Sequence, residues 1–134
     1  MVNVGDVLYL FVEDTDPPKH KYFFVLGVTE DQISLASFYV NTIVNLNVNH
    51  NPVLVKYNIE LNPKDYPFLR HTSYLDCTKM VIRDKKDYDE IVKNRPEAIV
   101  YQLLPEQLEF FRQIVREVPT IKGKIIKKFG FFDN

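Results

Sequence analysis

The sequence predicts a mainly β, α+β fold, in which a small and strongly bent sheet or barrel carries one long helix in its C-terminal half and one short helix. Phe and Tyr are abundant, and aromatic residues, 13% of the chain, fit the pleated surface of a sheet. Short apolar runs alternate with turn-forming residues, a pattern typical of small barrels. At 134 residues and 46% hydrophobic content, the chain is most simply one domain, 1–134.

Apolar runs at 7–12, 22–28 and 32–40 predict the first three strands, and the acidic, proline-containing loop 13–19 separates the first two. The clearest alternation in the chain covers 52–61 and predicts a fourth strand with one face in the core. The apolar residues of that face are Val53, Val55, Tyr57, Ile59 and Leu61.

Two further strands are predicted at 74–82 and 98–103. Within the first of these strands the apolar residues change from odd-numbered to even-numbered positions. A β-bulge near Thr78 or Lys79 would produce that change. The asparagine-rich stretch 41–51 separates the third and fourth strands. We expect it to be a long loop or a fraying β-ribbon, because asparagine favours turns over strands.

Helical signals appear twice. The polar stretch 84–94 predicts the short helix, which Pro96 ends. Pro105 opens the long helix, which runs to position 118 with its apolar residues on one stripe. The basic C-terminal tail, 120–134, is predicted to add a strand or to dock as a basic arm.

Charge and composition limit the classes of partner. The net charge of −1 argues against a free-standing duplex-DNA binder, which usually carries a basic excess. One cysteine cannot form an internal disulfide, and the N-terminus lacks the pattern of a secretory leader. No apolar run approaches the roughly 20 residues that cross a bilayer. We therefore expect a cytoplasmic protein without a membrane segment.

The stretch 69–80, L-R-H-T-S-Y-L-D-C-T-K-M, concentrates the polar side chains that can perform chemistry. Metal-independent cleavage of RNA needs a base for the 2′-hydroxyl, an acid for the leaving 5′-oxygen and a cation for the phosphate. His71 and Asp76 can exchange protons, and Arg70 can bind a phosphate through two hydrogen bonds. The hydroxyl groups that can donate to phosphate oxygens are those of Thr72 and Ser73. The alternative is a turn with a solvated arginine and a surface histidine.

A second basic cluster, Lys19-His20-Lys21, can bind phosphate or can simply be the polar start of the second strand. In the alternating pattern of its predicted strand, Cys77 falls on the face that points into the core. It is therefore predicted to be a buried, inert thiol. The histidines lack the spacing of a metal site, and the sequence contains no Gly-rich phosphate loop or dinucleotide fingerprint. The sequence therefore predicts neither a metal nor a cofactor.

The chain also carries five short segments in a fixed order: G-D-V-L-Y-L at 5–10, K-Y-F-F-V-L-G-V at 21–28, L-A-S-F-Y-V-N-T at 35–42, H-T-S-Y-L-D-C-T-K-M at 71–80 and L-P-E-Q-L-E-F-F at 104–111. Over residues 5–118 this order resembles the PemK/MazF family of bacterial toxin endoribonucleases. The last segment is similar to the start of the family's late helix.

The resemblance implies an SH3-like barrel that cleaves single-stranded RNA without a metal ion, an antitoxin partner and a homodimer. The catalytic residues would be Lys21, Thr42, Arg70, His71 and Asp76, and the RNA-binding residues Lys19, His20, Thr72 and Ser73. Many members have a catalytic arginine, followed by proline, where this chain has Lys21-Tyr22. A lysine keeps the charge and loses the planar fork.

Two further positions carry the resemblance. Thr42 corresponds to the family's active-site threonine or serine after the third strand. Asp76 lies near the acid of some members but lacks the arginine that stands two residues before that acid. The chain thus departs from the family pattern at the residues that would perform catalysis.

A function from a different class fits the same sequence. The apolar and aromatic content and the 41–51 loop would suit a non-catalytic protein–protein interaction module, such as a phage or mobile-element adaptor. In that case, mutation of the cluster at 70–76 would leave partner binding intact. The lysines of the tail fit either a solvated face or a nucleic-acid arm.

Overall fold

A computed structural model describes residues 1–44 and 52–133 and has a mixed α+β fold. The strands are β1 (Asp6–Val12), β2 (Lys19–Val28), β3 (Ser34–Asn41), β4 (Asn58–Leu61), β5 (Ser73–Asp76), β6 (Val81–Asp84) and β7 (Ile99–Gln102). In the described ranges they form one antiparallel seven-stranded sheet with the order β4-β5-β3-β2-β1-β7, and β6 also pairs with β3. The sheet curls into a half-barrel, which confirms the small, barrel-like α+β fold predicted from the sequence.

The described residues form four α-helices, α1 (Pro52–Val55), α2 (Lys85–Asn94), α3 (Pro105–Glu117) and α4 (Gly123–Lys128), and a 3₁₀ turn at Pro96–Ala98. The predicted short and long helices are confirmed as α2 and α3. Asp84 caps α2 by accepting a hydrogen bond of 3.2 Å from the backbone N–H of Lys86. Within this part of the chain, no helix combines the length and the apolar character needed to cross a membrane.

The alternation of side chains along β1 and β2 supplies two cores, one on each face of the sheet. One face packs against α3 and the C-terminal segment, and we call this the α3-side core; its members include Val7, Phe24, Phe111, Val115, Ile126, Phe129 and Phe131. The other face packs against α2, and we call this the α2-side core; its members include Leu8, Leu10, Phe23, Val25 and Val92. The sheet is therefore the middle layer of the fold.

The strand predicted over 52–61 is wrong in its first half. Pro52–Val55 forms α1, and Asn58–Leu61 alone pairs with β5 as a strand. Proline has no N–H to donate to a sheet, and its fixed φ suits the first turn of a helix. Val53 is 53% exposed, so the alternation around it does not reflect a buried face.

The single bulged strand predicted over 74–82 is also wrong, because this stretch contributes to two strands. β5 pairs with β4 and with the end of β3, whereas β6 pairs with the beginning of β3. Between them, the Asp76 carboxylate accepts hydrogen bonds from the backbone N–H (2.9 Å) and the hydroxyl of Thr78. The change of the apolar residues from odd-numbered to even-numbered positions therefore marks a turn between two strands. Most of the predicted 41–51 loop, residues 45–51, lies outside the described residues.

The C-terminal tail docks, but it forms a helix and not the predicted strand, and apolar side chains make the contact. Its buried residues are Ile126, Phe129 and Phe131, and its exposed residues include Lys122, Lys124, Lys127 and Lys128. The lysine content suggested a basic arm, whereas the apolar residues between the lysines determine the docking.

Two arginines of α3 fix this segment through its backbone. Arg112 is 8% exposed and donates to the carbonyl oxygens of Leu26 (2.8 Å) and Gly130. Arg116 donates to the carbonyl oxygen of Phe131 at 2.7 Å. Charge-assisted hydrogen bonds of this kind are stronger than neutral ones, and they compensate for the burial of the guanidinium groups.

Substitution of Gly27 tests the fit between β2 and the docked tail. A Cβ at Gly27 would lie 2.7 Å from the carbonyl oxygen of Phe129 and 2.8 Å from the ring of Phe131. We predict that Gly27→Ala lowers the free energy of unfolding by about 1–3 kcal/mol, the usual cost of overpacking a core. In the control Gly123→Ala, the added Cβ meets no atom within 4 Å. Denaturant unfolding of both variants measures the difference, and equal stability would contradict the clash.

Candidate functional site

A cleft of about 990 Å³ opens where the polar end of β2 meets the segment that leads into β5. It brings together most of the site residues predicted from the sequence: Lys19, His20, Lys21, Thr42, Arg70, His71 and Ser73. The predicted residues Thr72 and Asp76 are not among the described residues that line it. Residues from distant parts of the chain thus share one concave surface, which is the usual form of a ligand site.

Lys21 is the most constrained of these side chains. It lies opposite Leu10 in the pairing of β1 with β2 and is 8% exposed. Its ammonium donates to the side-chain oxygen of Asn41, and Nζ lies 5.4 Å from the centroid of the Tyr39 ring. A hydrogen bond to an amide and a contact with an aromatic face replace part of the lost hydration.

The surroundings of Lys21 alter its acidity. Burial lowers the pKa of Lys21 from its ordinary value of 10.5 to about 8, and the neighbouring cation of Lys19 adds to this effect. The Asp76 carboxylate acts in the opposite direction and favours the charged form. The ammonium is therefore mostly protonated near neutral pH and gives up its proton more readily than an exposed lysine, as a general acid must.

Tyr39 lies beside Lys21, where hydrogen bonds fix its position. Its hydroxyl donates to Asp14 at 2.9 Å, and Arg83 forms an ion pair with the same carboxylate at 2.8 Å. Burial, and then the hydrogen bond to Asp14, raise the pKa of Tyr39 to about 12, so the ring stays neutral next to the ammonium. The same contacts tie the acidic loop between β1 and β2 to the sheet.

His71 is exposed at the cleft, and its backbone contacts determine which nitrogen is basic. Nδ1 lies 3.0 Å from the carbonyl oxygen of Thr72. A carbonyl oxygen can only accept, so Nδ1 carries the proton in the neutral ring and Nε2 keeps the free lone pair. The hydroxyl of Ser73 donates to the carbonyl oxygen of His71 at 3.1 Å. The predicted phosphate ligands Thr72 and Ser73 thus contact His71, and Ser73 is only 2% exposed.

The three remaining residues that were predicted to be catalytic occupy different environments. Arg70 is exposed on the cleft, as is Thr42, which directly follows β3. Asp76 is 7% exposed, and its Oδ1 accepts both hydrogen bonds from Thr78 in the turn after β5. Asp76 is thus not among the residues that line the cleft, and its charge acts on Lys21.

Sequence reasoning found His20 but missed the aromatic rings around it. Tyr9 and Tyr22 line the cleft, and Phe11 and His20 extend the row outward along β1 and β2. We call these four residues the aromatic ladder. The signal was present in the alternation of aromatic with aliphatic residues in L-Y-L-F, but an unbroken apolar run does not say which face is buried.

Asn41 was missed for a different reason. The sequence pattern places Asn41 in an asparagine-rich loop, whereas in the structure it ends β3 and accepts a hydrogen bond from Lys21. This contact depends on the pairing of β2 with β3, which brings together residues that are distant in the sequence.

Other reactive groups are absent from the cleft or inert. Among residues 1–44 and 52–133, no three His, Cys, Asp or Glu side chains are close enough to share a metal ion. Cys77 is fully buried, which confirms the prediction of a buried thiol, and burial raises its pKa above the ordinary range. A thiol of this kind is a poor nucleophile.

The sequence matches no protein-family model and no curated protein. The function is therefore inferred from the geometry of this cleft and from the resemblance of short segments described above.

Proposed function

We propose that the chain is a PemK/MazF-like toxin endoribonuclease that cleaves single-stranded RNA without a metal ion. The observation that carries this proposal is the convergence on one cleft of Lys21, His71 and Arg70, a proton donor, a base and a cation. The half-barrel supports it as well, because the family has a small SH3-like barrel. A lysine with a lowered pKa in a cleft is typical of functional sites.

The proposed reaction needs one proton acceptor and one proton donor. His71 Nε2 accepts the proton of the 2′-hydroxyl, and the 2′-oxygen attacks the adjacent phosphorus. The bond from phosphorus to the 5′-oxygen breaks, and the products are a 2′,3′-cyclic phosphate and a 5′-hydroxyl. The Lys21 ammonium gives its proton to the leaving 5′-oxygen, and Arg70 stabilises the charge on the phosphoryl oxygens.

The other cleft residues position the substrate and the acid. Lys19 binds a flanking phosphate, His20 contacts the RNA beside it, and the Thr42 hydroxyl donates to the reacting phosphate. Asn41 orients the Lys21 ammonium through its hydrogen bond. Asp76 does not exchange protons with the substrate in this scheme, because it does not line the cleft. Its charge helps to keep Lys21 protonated.

Removal of His71 tests the base. His71→Ala should lower the cleavage rate of single-stranded RNA by about 10²–10⁴-fold, the usual contribution of a general base. The assay incubates purified protein with total RNA in the presence of a chelator and resolves the fragments on a gel. Single-stranded DNA of the same sequence is the control, because it lacks the attacking 2′-hydroxyl. RNA that stays intact with the unaltered protein would end the proposal, and full activity of His71→Ala would remove His71 from the mechanism.

The pH dependence tests the acid. Lys21 donates a proton only in its charged form, so the rate should fall as the pH rises through about 8. Asn41→Asp places a carboxylate at the hydrogen-bond partner of the ammonium, which favours the charged form and raises its pKa. The falling limb of the pH–rate profile should therefore move to higher pH in Asn41→Asp. A limb that stays in place would show that another group titrates.

An antitoxin and a homodimer are part of the proposal. Edge strands β4 and β7 each pair with one strand in the described part of the chain, and free strand edges favour association. Size-exclusion chromatography should give about twice the chain mass of 15.8 kDa. Elution at the monomer mass would contradict the dimer and leave the ribonuclease proposal standing.

A non-catalytic interaction module is the second candidate. Ile43 lines the cleft and is 72% exposed, and an exposed apolar side chain of this size suits a protein partner. Induced expression in a bacterial host separates the two candidates. The ribonuclease should arrest growth, and His71→Ala should relieve the arrest. Unimpaired growth together with intact cellular RNA would favour the module.

A further inference from the structure

We propose that the aromatic ladder is a stacking surface for the unpaired bases of a single-stranded nucleic acid whose backbone lies in the cleft. This inference rests on the proposed function for its choice of ligand. It concerns binding and not the chemical step, so it can be tested without any cleavage.

The pairing of β1 with β2 builds the ladder. Tyr9 lies opposite Tyr22 and Phe11 lies opposite His20 in the antiparallel register. Ring centroids are 5.4 Å apart between Phe11 and His20, 5.2 Å between His20 and Tyr9, and 4.3 Å between Tyr9 and Tyr22. The rings therefore form a continuous row along one face of the two strands.

The ladder is held at one end and exposed at the other. Tyr22 contacts the ring of Phe68 at a centroid distance of 5.1 Å and donates to its carbonyl oxygen at 3.3 Å. Tyr9 is 39% exposed and Phe11 is 53% exposed. On the same face of the sheet, Val7 is completely buried under the α3-side core. The ladder thus continues a core-facing surface into solvent, where its rings can receive flat ligands.

The charges around the ladder favour a nucleic acid over a protein. Lys19, Arg70 and Lys21 line the same cleft as Tyr9 and Tyr22. A single strand presents phosphates to such cations and flat bases to such rings, so it satisfies both parts of the surface. An apolar protein segment would cover the rings but would offer no negative charge to the exposed cations Lys19 and Arg70.

Binding of two single-stranded DNA probes tests the inference. One probe carries all its bases, and the other has the same number of phosphates but abasic sugars. Neither has a 2′-hydroxyl, so the proposed reaction cannot cleave them. Fluorescence anisotropy should show that the base-containing probe binds about tenfold or more tightly, in line with the usual worth of base–aromatic stacking. Tyr9→Ala and Phe11→Ala should remove most of that difference.

Phe110→Ala is the matched control, because Phe110 lies on α3 and is 52% exposed, almost the same fraction as Phe11. It should leave the preference for bases unchanged, and Tyr9→Phe should retain it, because the ring is kept. Equal binding of the two probes, absence of binding, or ladder variants that behave like Phe110→Ala would overturn the inference. Base-dependent binding without RNA cleavage would support the ladder and refute the ribonuclease, so the two failures are distinguishable.

Discussion

The antiparallel pairing of β1 with β2 determines which side of the sheet each important side chain occupies. In this register Leu10 lies opposite Lys21 on the α2-side face, and Tyr9 lies opposite Tyr22 on the other. Side chains alternate with a period of two, so a slip by one residue would exchange the faces. The ammonium would then lose its position beside Tyr39, and the aromatic row would enter the α2-side core. The cleft and the two cores thus depend on the same register.

The register of β1 with β2 buries Lys21, and this burial lowers the stability of the folded chain. The pKa of Lys21 is about 8 in the folded chain and 10.5 in an exposed lysine, so the unfolded state binds more protons between these values. The contribution of Lys21 to the free energy of unfolding therefore increases as the pH rises through that window. Below about pH 8, Lys21 is charged in both states, and the burial of its charge destabilises the folded state. Asn41, Tyr39 and Asp76 offset part of this cost. Lys21 forms no ion pair with the residues that the structure describes. Its buried ammonium is therefore more easily explained by a role in the cleft than by a role in folding.

The sequence predicted the fold class, the first three strands and the two main helices, because these depend on local periodicity and on proline positions. It also grouped most of the cleft residues. The failures have non-local causes. The alternation over 52–61 did not reveal that Pro52–Val55 forms a helix, and the change in the positions of the apolar residues after Asp76 did not distinguish a bulge from a turn. The partnership of Lys21 with Asn41 depends on strand pairing, which one sequence does not specify.

The two ends of the sheet face that carries the α3-side core differ in how far other parts of the chain cover them. This difference links folding to function. At one end, α3 and the docked tail cover the sheet, and Arg112 donates to a carbonyl oxygen of the sheet, at Leu26, and to one of the tail, at Gly130. At the other end, the cover stops at Phe68, and the rings of Tyr9 and Phe11 remain exposed. These exposed rings lie beside a cationic cleft. We therefore interpret them as a binding surface for a ligand that carries both flat rings and negative charge.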